Sequence, residues 1–274
     1  MKKLLTSFSL LAVSIVSNAQ HTEFVKTTQQ FRNKEYVYNV VVEGKKIGEF
    51  WPIKAINLVT KETLGNDSVL LNEYCIDTLQ KRLGGVATTP DGMTTGSLGS
   101  YQLQGKALSH GVPCGDGIVY DYGIVIVSGN GWVIDFTHKR EIKNFDSVYE
   151  SYREKKSTLF FLPSIFRNGK SLPSTRTVDK VLIRRWVPNT DSTSSGVQIG
   201  VIMFDEPTTY NDVCTSVLGL DRTYTDGTVR SKTTHIYVLD GGPAWGQAIK
   251  EVNKKVVTIG TRNPAVVTNY LVFF

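Results

Sequence analysis

Cysteine pairs, long apolar runs and concentrated charge are all scarce in this 274-residue chain, and each scarcity excludes a class of protein. The three cysteines, Cys75, Cys114 and Cys214, never fall at CxxC spacing, which argues against a thiolate zinc site. One internal bridge with three alternative pairings is the most they allow, and one thiol is left over. Cys75 and Cys214 lie on apolar helical faces, where cysteine acts as a small buried hydrophobe. Beyond residue 16 no segment approaches the ~20 apolar residues of a membrane-spanning helix. The net charge of +6 is dispersed, with no arginine-rich arm or aromatic-interleaved stripe of a nucleic-acid binder. Short basic runs such as Arg153-Glu154-Lys155-Lys156 and Arg184-Arg185 read as solvated faces. HExxH, GxSxG and EF-hand patterns are missing. Gly99 to Lys106 fails as a phosphate loop, with one residue too many between its glycines and no Ser/Thr after the lysine.

What is present begins with an export leader. Lys2 and Lys3 precede the apolar run Leu4 to Val16, and Ser17-Asn18-Ala19 supplies the small residues of a cleavage site. Residues 1–19 are therefore expected to be removed, delivering a soluble periplasmic, cell-surface or secreted protein. Loss of Lys2 and Lys3 lowers the net charge from +6 to +4. Residues 20–274 suffice for one domain with a well-buried core, and no linker interrupts them.

Strand signals dominate. Tyr36–Val42 and Lys46–Trp51 flank the hairpin signal Glu43-Gly44-Lys45. A helix capped at Asn66 or Asp67 is predicted to run to Leu83 and stop at Gly84-Gly85. Residues 86–117, rich in glycine, threonine and serine, read as loops that form a site. Ile118–Val127 and Trp132–Phe136 form a hairpin across Ser128-Gly129-Asn130-Gly131, and Asp146 is expected to cap a short helix. Thr158–Leu162, Val178–Val187, Gly196–Phe204, Val256–Ile259 and Val266–Phe274 read as strands, with a polar loop from Pro188 to Ser195. Pro207 and Thr208 are expected to open a helix through Val213, Val217 and Leu218 that ends at Gly219. This order predicts an α+β fold: a single domain with a mixed, largely antiparallel sheet and a few packed helices.

The most informative stretch is Val238-Leu239-Asp240-Gly241-Gly242. His235 to Leu239 is apolar and rich in strand formers, so the Asp240 carboxylate stands where a buried strand ends. Glycines after it allow a sharp turn and close approach of a ligand to the backbone, although Asp-Gly and Gly-Gly are also ordinary hairpin pairs. Upstream lie the turn Arg167-Asn168-Gly169-Lys170 and the pair Arg176-Thr177, and a helix ends in Leu218-Gly219. This order over residues 118–274 resembles the phosphodiester glycosidase family, named for removing N-acetylglucosamine from a phosphodiester to uncover mannose 6-phosphate. The chain departs from that family at Pro243, Ala244 and Trp245, which replace a third glycine and serine, and at Val238, which replaces asparagine. Gly84-Gly85-Val86 is the nearest equivalent of the family's early Asn-Gly-Gly-aromatic signature.

The resemblance implies an exported glycosidase that hydrolyses a sugar-1-phosphodiester of N-acetylglucosamine type or a cell-surface glycan. An aspartate at the anomeric carbon can stabilise oxocarbenium character, attack it or activate water. Arginine holds phosphate with a two-pronged fork. Asp240 and Arg176 are accordingly the expected catalytic pair, with Thr177, Asn168, Gly169, Gly241 and Gly242 binding substrate. No cofactor is specified, a divalent metal is left open, and neither nucleic acid nor a transmembrane segment is expected. The replaced glycine and serine open a second reading, a degenerate, non-catalytic member that binds glycans or a surface. A third reading is a cysteine-dependent peptidoglycan enzyme, since Ser109-His110-Gly111-Val112-Pro113-Cys114 resembles an L,D-transpeptidase signature with two inserted residues. Asp116, Asp121 and His235 complete the candidates; aspartate before glycine is commonest in turns, and a strand-end histidine is commonly structural.

Overall fold

Glu43 and Gly44 take positive φ values of 48° and 78°, the pattern of a tight two-residue turn that matches strand twist. The predicted hairpin forms there, with Val42 opposite Lys45. The computed structural model describes residues 21–31, 35–60, 93–95, 103–167, 169–172, 174–188, 195–223, 229–239, 248–252, 255–259 and 269–273. Its strands are, in order, β1 (Thr22–Phe31), β2 (Glu35–Val42), β3 (Lys45–Ile53), β4 (Ile56–Thr60), β5 (Met93–Thr95), β6 (Ala107–Ser109), β7 (Val112–Cys114), β8 (Gly123–Val127), β9 (Val133–His138) and β10 (Thr158–Leu162). They continue with β11 (Ser164–Arg167), β12 (Lys170–Ser171), β13 (Thr177–Pro188), β14 (Ser195–Thr209), β15 (Arg222–Thr223), β16 (Val229–Val238), β17 (Ala248–Val252), β18 (Lys255–Ile259) and β19 (Asn269–Phe273). Two α-helices are described, α1 (Phe145–Glu154) and α2 (Tyr210–Leu218), with a short 3-10 turn at Lys139–Glu141.

The expectation of a largely antiparallel architecture holds. Its strands form three sheets, and no parallel pair occurs among the described residues. The large sheet runs β1-β2-β3-β14-β13-β16-β11-β12, with β15 attached to β16; the others run β7-β6-β10-β8-β9 and β18-β17-β5-β19-β4.

Alternation along the strands builds the layers. Trp51, Leu182, Val201 and Tyr237 of the large sheet share one core with Phe160, Leu162, Val125 and Val127 of the sheet carrying β8 and β10. Their chain neighbours Phe50, Ile183, Ile202 and Ile236 face the other way and pack with Val213, Cys214 and Val217 of α2. Leu159, Phe161, Ile124 and Ile126 likewise turn outward against Phe145 and Tyr149 of α1. A period of two therefore yields four layers, helix on sheet on sheet on helix. β8 and β10 are buried at every residue, which explains their apolar sequences, broken only by Thr158.

Several boundaries move. Asn144, not Asp146, caps α1 by accepting from the Ser147 N–H at 3.1 Å; Asp146 occupies the first turn, where Lys106 Nζ donates to it at 2.7 Å. Pro207 and Thr208 still belong to β14, and Thr209 caps α2. Proline, which has no N–H to donate, is tolerated because β14 loses register with β13 between Met203 and Thr208, where no regular ladder needs a donor. The strand expected from Ile118 starts at Gly123, and that expected from Val266 is described over Asn269–Phe273, residues 266–268 lying outside the described residues. Gly219 ends α2 as expected. The 66–83 helix with Cys75, most of 86–102 and the loop interior 189–194 lie outside the described residues.

Cys214 is buried in α2, 5% exposed, a free thiol that reaches the Ile165 carbonyl at 3.7 Å. Burial pushes its pKa up to about 11. Two units above an ordinary thiol leave roughly a hundredfold less thiolate, so Cys214 should resist iodoacetamide at pH 8 until the protein unfolds. Mass mapping of the native protein checks this, and alkylation of Cys214 at a free-thiol rate would contradict it.

Candidate functional site

The ladder between β13 and β16 fixes where the expected site residues fall. Val238 pairs with Val181, and the Leu239 N–H donates to the Lys180 carbonyl at 3.1 Å. β16 therefore ends at the end of the sheet from which β13 begins, and Arg176-Thr177 open that strand. Both are exposed; Thr177 pairs with Thr209, and the Tyr210 N–H donates to the Arg176 carbonyl at 3.0 Å. Tyr210's phenol is held above its ordinary pKa by burial, an effect that nearby Arg176 opposes.

Asp179 and Lys180 lie between these points at 6% and 1% exposure, beside the register shift in β13. Neither is isolated, as buried charge requires. Two adjacent opposite charges near the start of the strand expected at Val178–Val187 are an irregularity visible in the sequence that belongs to no motif. Asp240, Gly241 and Gly242, like Pro243 and Trp245, lie outside the described residues.

The β11–β12 hairpin does not join this group. Arg167 pairs with both Lys170 and His235, so the turn carrying Gly169 lies beyond the His235 row, toward the other end of the sheet. From the Arg184 level to Arg176 is eight residues of β13, about 25 Å of strand. Gly169 has φ 81° and open space around it. Asn168 lies outside the described residues.

A second polar group forms where β9 crosses the large sheet. His235, 4% exposed, stands directly between Arg167 of β11 and Arg184 of β13. Directly opposed residues share a face, so the three form one row. The row faces β9 and the 3-10 turn that follows it: Arg167 Nη1 lies 3.5 Å from Glu141 Oε1, and Arg184 Nη1 lies 3.9 Å from Asp135 Oδ1. The His235 ring packs 6.0 Å from Phe136 and edge-on to Tyr237 at 5.6 Å, centroid to centroid. Tyr237 Oη donates to the Thr137 carbonyl at 2.6 Å, tying the two sheets together. Burial first, then Arg184, lowers the His235 pKa to about 4.

His138, 7% exposed, stands beside this row. Its Nδ1 accepts from the Arg140 N–H at 3.2 Å and caps the 3-10 turn, while Glu141 Oε2 accepts from the His138 N–H at 3.1 Å. The proton therefore sits on Nε2 of the neutral ring. Burial, then Arg167, lowers its pKa. Asp121 Oδ1 is 3.7 Å from His138 Nδ1, and the same carboxylate is gripped by the Arg140 guanidinium, which holds it below its usual range.

The solvated reading of Arg184-Arg185 is overturned. Arg185 is 5% exposed and donates to the Leu220 carbonyl at 2.9 Å, while Arg184 is only a quarter exposed. Adjacent residues of a central strand face opposite layers, so one of them always turns inward. Asp116 is a loop organiser, accepting from the Gly105 and Ile118 N–H groups and from Tyr120 Oη. Residues 109–114 form the β6–β7 hairpin, with His110 and Gly111 in the turn at φ 50° and 80°. Cys114, 7% exposed, lies at the hairpin's base opposite Ala107, away from the His110 tip.

Among the described residues, no set of three or more His, Cys, Asp or Glu side chains is arranged to hold a metal ion. No described helix is long and apolar enough to cross a membrane. No family model, curated protein or solved structure matches the chain.

Proposed function

We propose that this chain is an exported phosphodiester glycosidase, which releases a sugar from a sugar-1-phosphodiester. The observation that supports this reading most is the bond from the Leu239 N–H to the Lys180 carbonyl. It ends β16 beside buried Asp179 and Lys180, at the sheet end where Arg176 and Thr177 are exposed, and the next residue of the chain is Asp240. Strand ends that feed glycine-rich segments are where rigid scaffolds carry chemistry.

In the proposed reaction the bond from the anomeric carbon to the phosphate oxygen breaks. Water supplies the hydroxyl to the sugar and a proton to the medium, and the phosphate leaves as a monoester. Phosphate is already a good leaving group, so the demand falls on stabilising the cationic sugar, the role of Asp240. Holding the anion falls to Arg176, assisted by Thr177 and the Gly241 and Gly242 backbone.

The test is release of free sugar from aryl and UDP-linked N-acetylglucosamine-1-phosphodiesters, with and without divalent cations. Asp240→Asn should lower turnover at least about a hundredfold while circular dichroism stays native. Turnover that survives this substitution would remove the proposal. A folded wild-type protein that binds these donors without turning them over would favour the non-catalytic glycan-binding reading.

A further inference from the structure

The row Arg167–His235–Arg184 makes a second ligand site of different construction. Its two guanidiniums are only loosely ion-paired, with Glu141 and Asp135. Arg140 closes on Asp121 through Nε at 2.9 and 2.7 Å, so the geometry of a full fork is available in this protein. Arg167 and Arg184 stop at 3.5 and 3.9 Å from Glu141 and Asp135, and neither guanidinium makes a hydrogen bond among the described residues. Arg167 Nη1 is buried without a hydrogen-bond partner. Buried donors of this kind are normally satisfied, and charged ones most of all.

Their spacing fits one ligand. Two strand intervals separate the Arg167 and Arg184 backbones, about 10 Å, with His235 midway, so both side chains can converge above the imidazole. The imidazole is oriented to take part. Thr234 Oγ1 donates to the Arg184 carbonyl at 3.1 Å and lies 3.1 Å from His235 Nδ1. With its own proton committed, the hydroxyl receives the Nδ1 proton, which leaves a lone pair on Nε2. No described residue bonds that nitrogen.

We propose that this seam binds a phosphate group, gripped by Arg167 and Arg184 and by a proton that His235 Nε2 takes up as the anion enters. Glu141 and Asp135 occupy the guanidiniums until the phosphate displaces them. The charged and titratable groups around the imidazole are Arg184, Glu141, Arg167 and His138, and the Phe136 and Tyr237 rings pack against it. The free ion and an organic phosphate share this chemistry. The site depends on neither Asp240 nor the proposed glycosidase activity.

The full chain, titrated with inorganic phosphate, methyl phosphate, dimethyl phosphate or acetate, tests this through the His235 ring signals in NMR, assigned by their loss in His235→Gln. A saturable shift toward imidazolium with phosphate or methyl phosphate is expected by about 10 mM. Arg167→Gln and Arg184→Gln should each weaken it at least about tenfold, and Lys45→Gln on the β2–β3 turn should leave it unchanged. Equal binding of both monoanion-to-dianion probes identifies the phosphate group itself; preference for methyl phosphate identifies an organic source. No saturable shift in the wild-type chain, acetate binding as tightly as phosphate, or undiminished affinity in a folded Arg167→Gln/Arg184→Gln chain would overturn the proposal.

Discussion

Alanine at Gly200 should prevent this chain from folding, with the variant recovered aggregated or with its urea midpoint collapsed. Gly200 lies in the middle of β14, between Ile183 of β13 and Pro52 of β3. A Cβ there would stand 2.0 Å from Phe50 Cε2, 2.4 Å from Cζ and 2.7 Å from the Trp51 carbonyl oxygen. The last contact is with backbone, so the strand itself must move. Phe50 cannot retreat easily either, since it is fully buried and stacked on Phe24 with centroids 4.4 Å apart. An extra methylene in a core ordinarily costs about 1–3 kcal/mol, and a clash with both ring and backbone should exceed that range. Against a typical reserve of about 5–15 kcal/mol, most of the folded population is at risk. Phe50→Leu in the same chain should restore part of the loss by shortening the obstructing side chain. A Gly200→Ala protein with unchanged urea midpoint would show that the β3–β14 packing is looser than described.

Acidification from pH 7 to pH 4.5 should destabilise the protein steeply, and His235→Gln should flatten the response. The His235 pKa is lowered from 6.5 to about 4 by burial and then by Arg184. Between those values the unfolded chain binds a proton that the folded chain refuses, so folding is favoured as pH rises. The stability is fully present above pH 6.5, declines as pH falls, and is lost by about pH 4. A depression of this size corresponds to about 3 kcal/mol as a ceiling, and at 4% exposure solvent screening removes little of it. His138 is lowered too and adds slope in the same direction. Asp121, held below its usual range chiefly by its hydrogen bonds to Arg140, loses its contribution only in stronger acid, so the windows separate. Urea midpoints at half-unit pH steps measure the effect. Identical pH profiles for wild type and His235→Gln would mean that the imidazole titrates normally.

Hairpins were the most legible part of the fold, because their information is local. Glu43-Gly44, Ser128–Gly131 and Arg167–Lys170 each turn where the residues predict, and the apolar strands around them form. Helix starts were less legible: Asn144 and Thr209 cap where Asp146 and Pro207 were expected, since competing polar residues one or two positions apart can all begin a helix. The Arg176 end of the candidate site was visible as a motif, whereas buried Asp179 and Lys180 beside it were not singled out. His235 reads from the sequence as an ordinary strand-end histidine, because its two arginine neighbours are separated from it by long stretches of chain.

The sequence by itself determined several of the longer strands and where the tight turns lie, because periodicity and turn chemistry act within a few residues, whereas β1 and the β6–β7 hairpin carry no such local signal. Only the tertiary structure decided that Arg167, His235 and Arg184 form one row, that His138 and Glu141 stand over it, and that Gly169 lies far from Arg176. Those relations are set by which strand pairs beside which and in what register. That choice is made by burial across two packed sheets, a sum over residues remote in the chain.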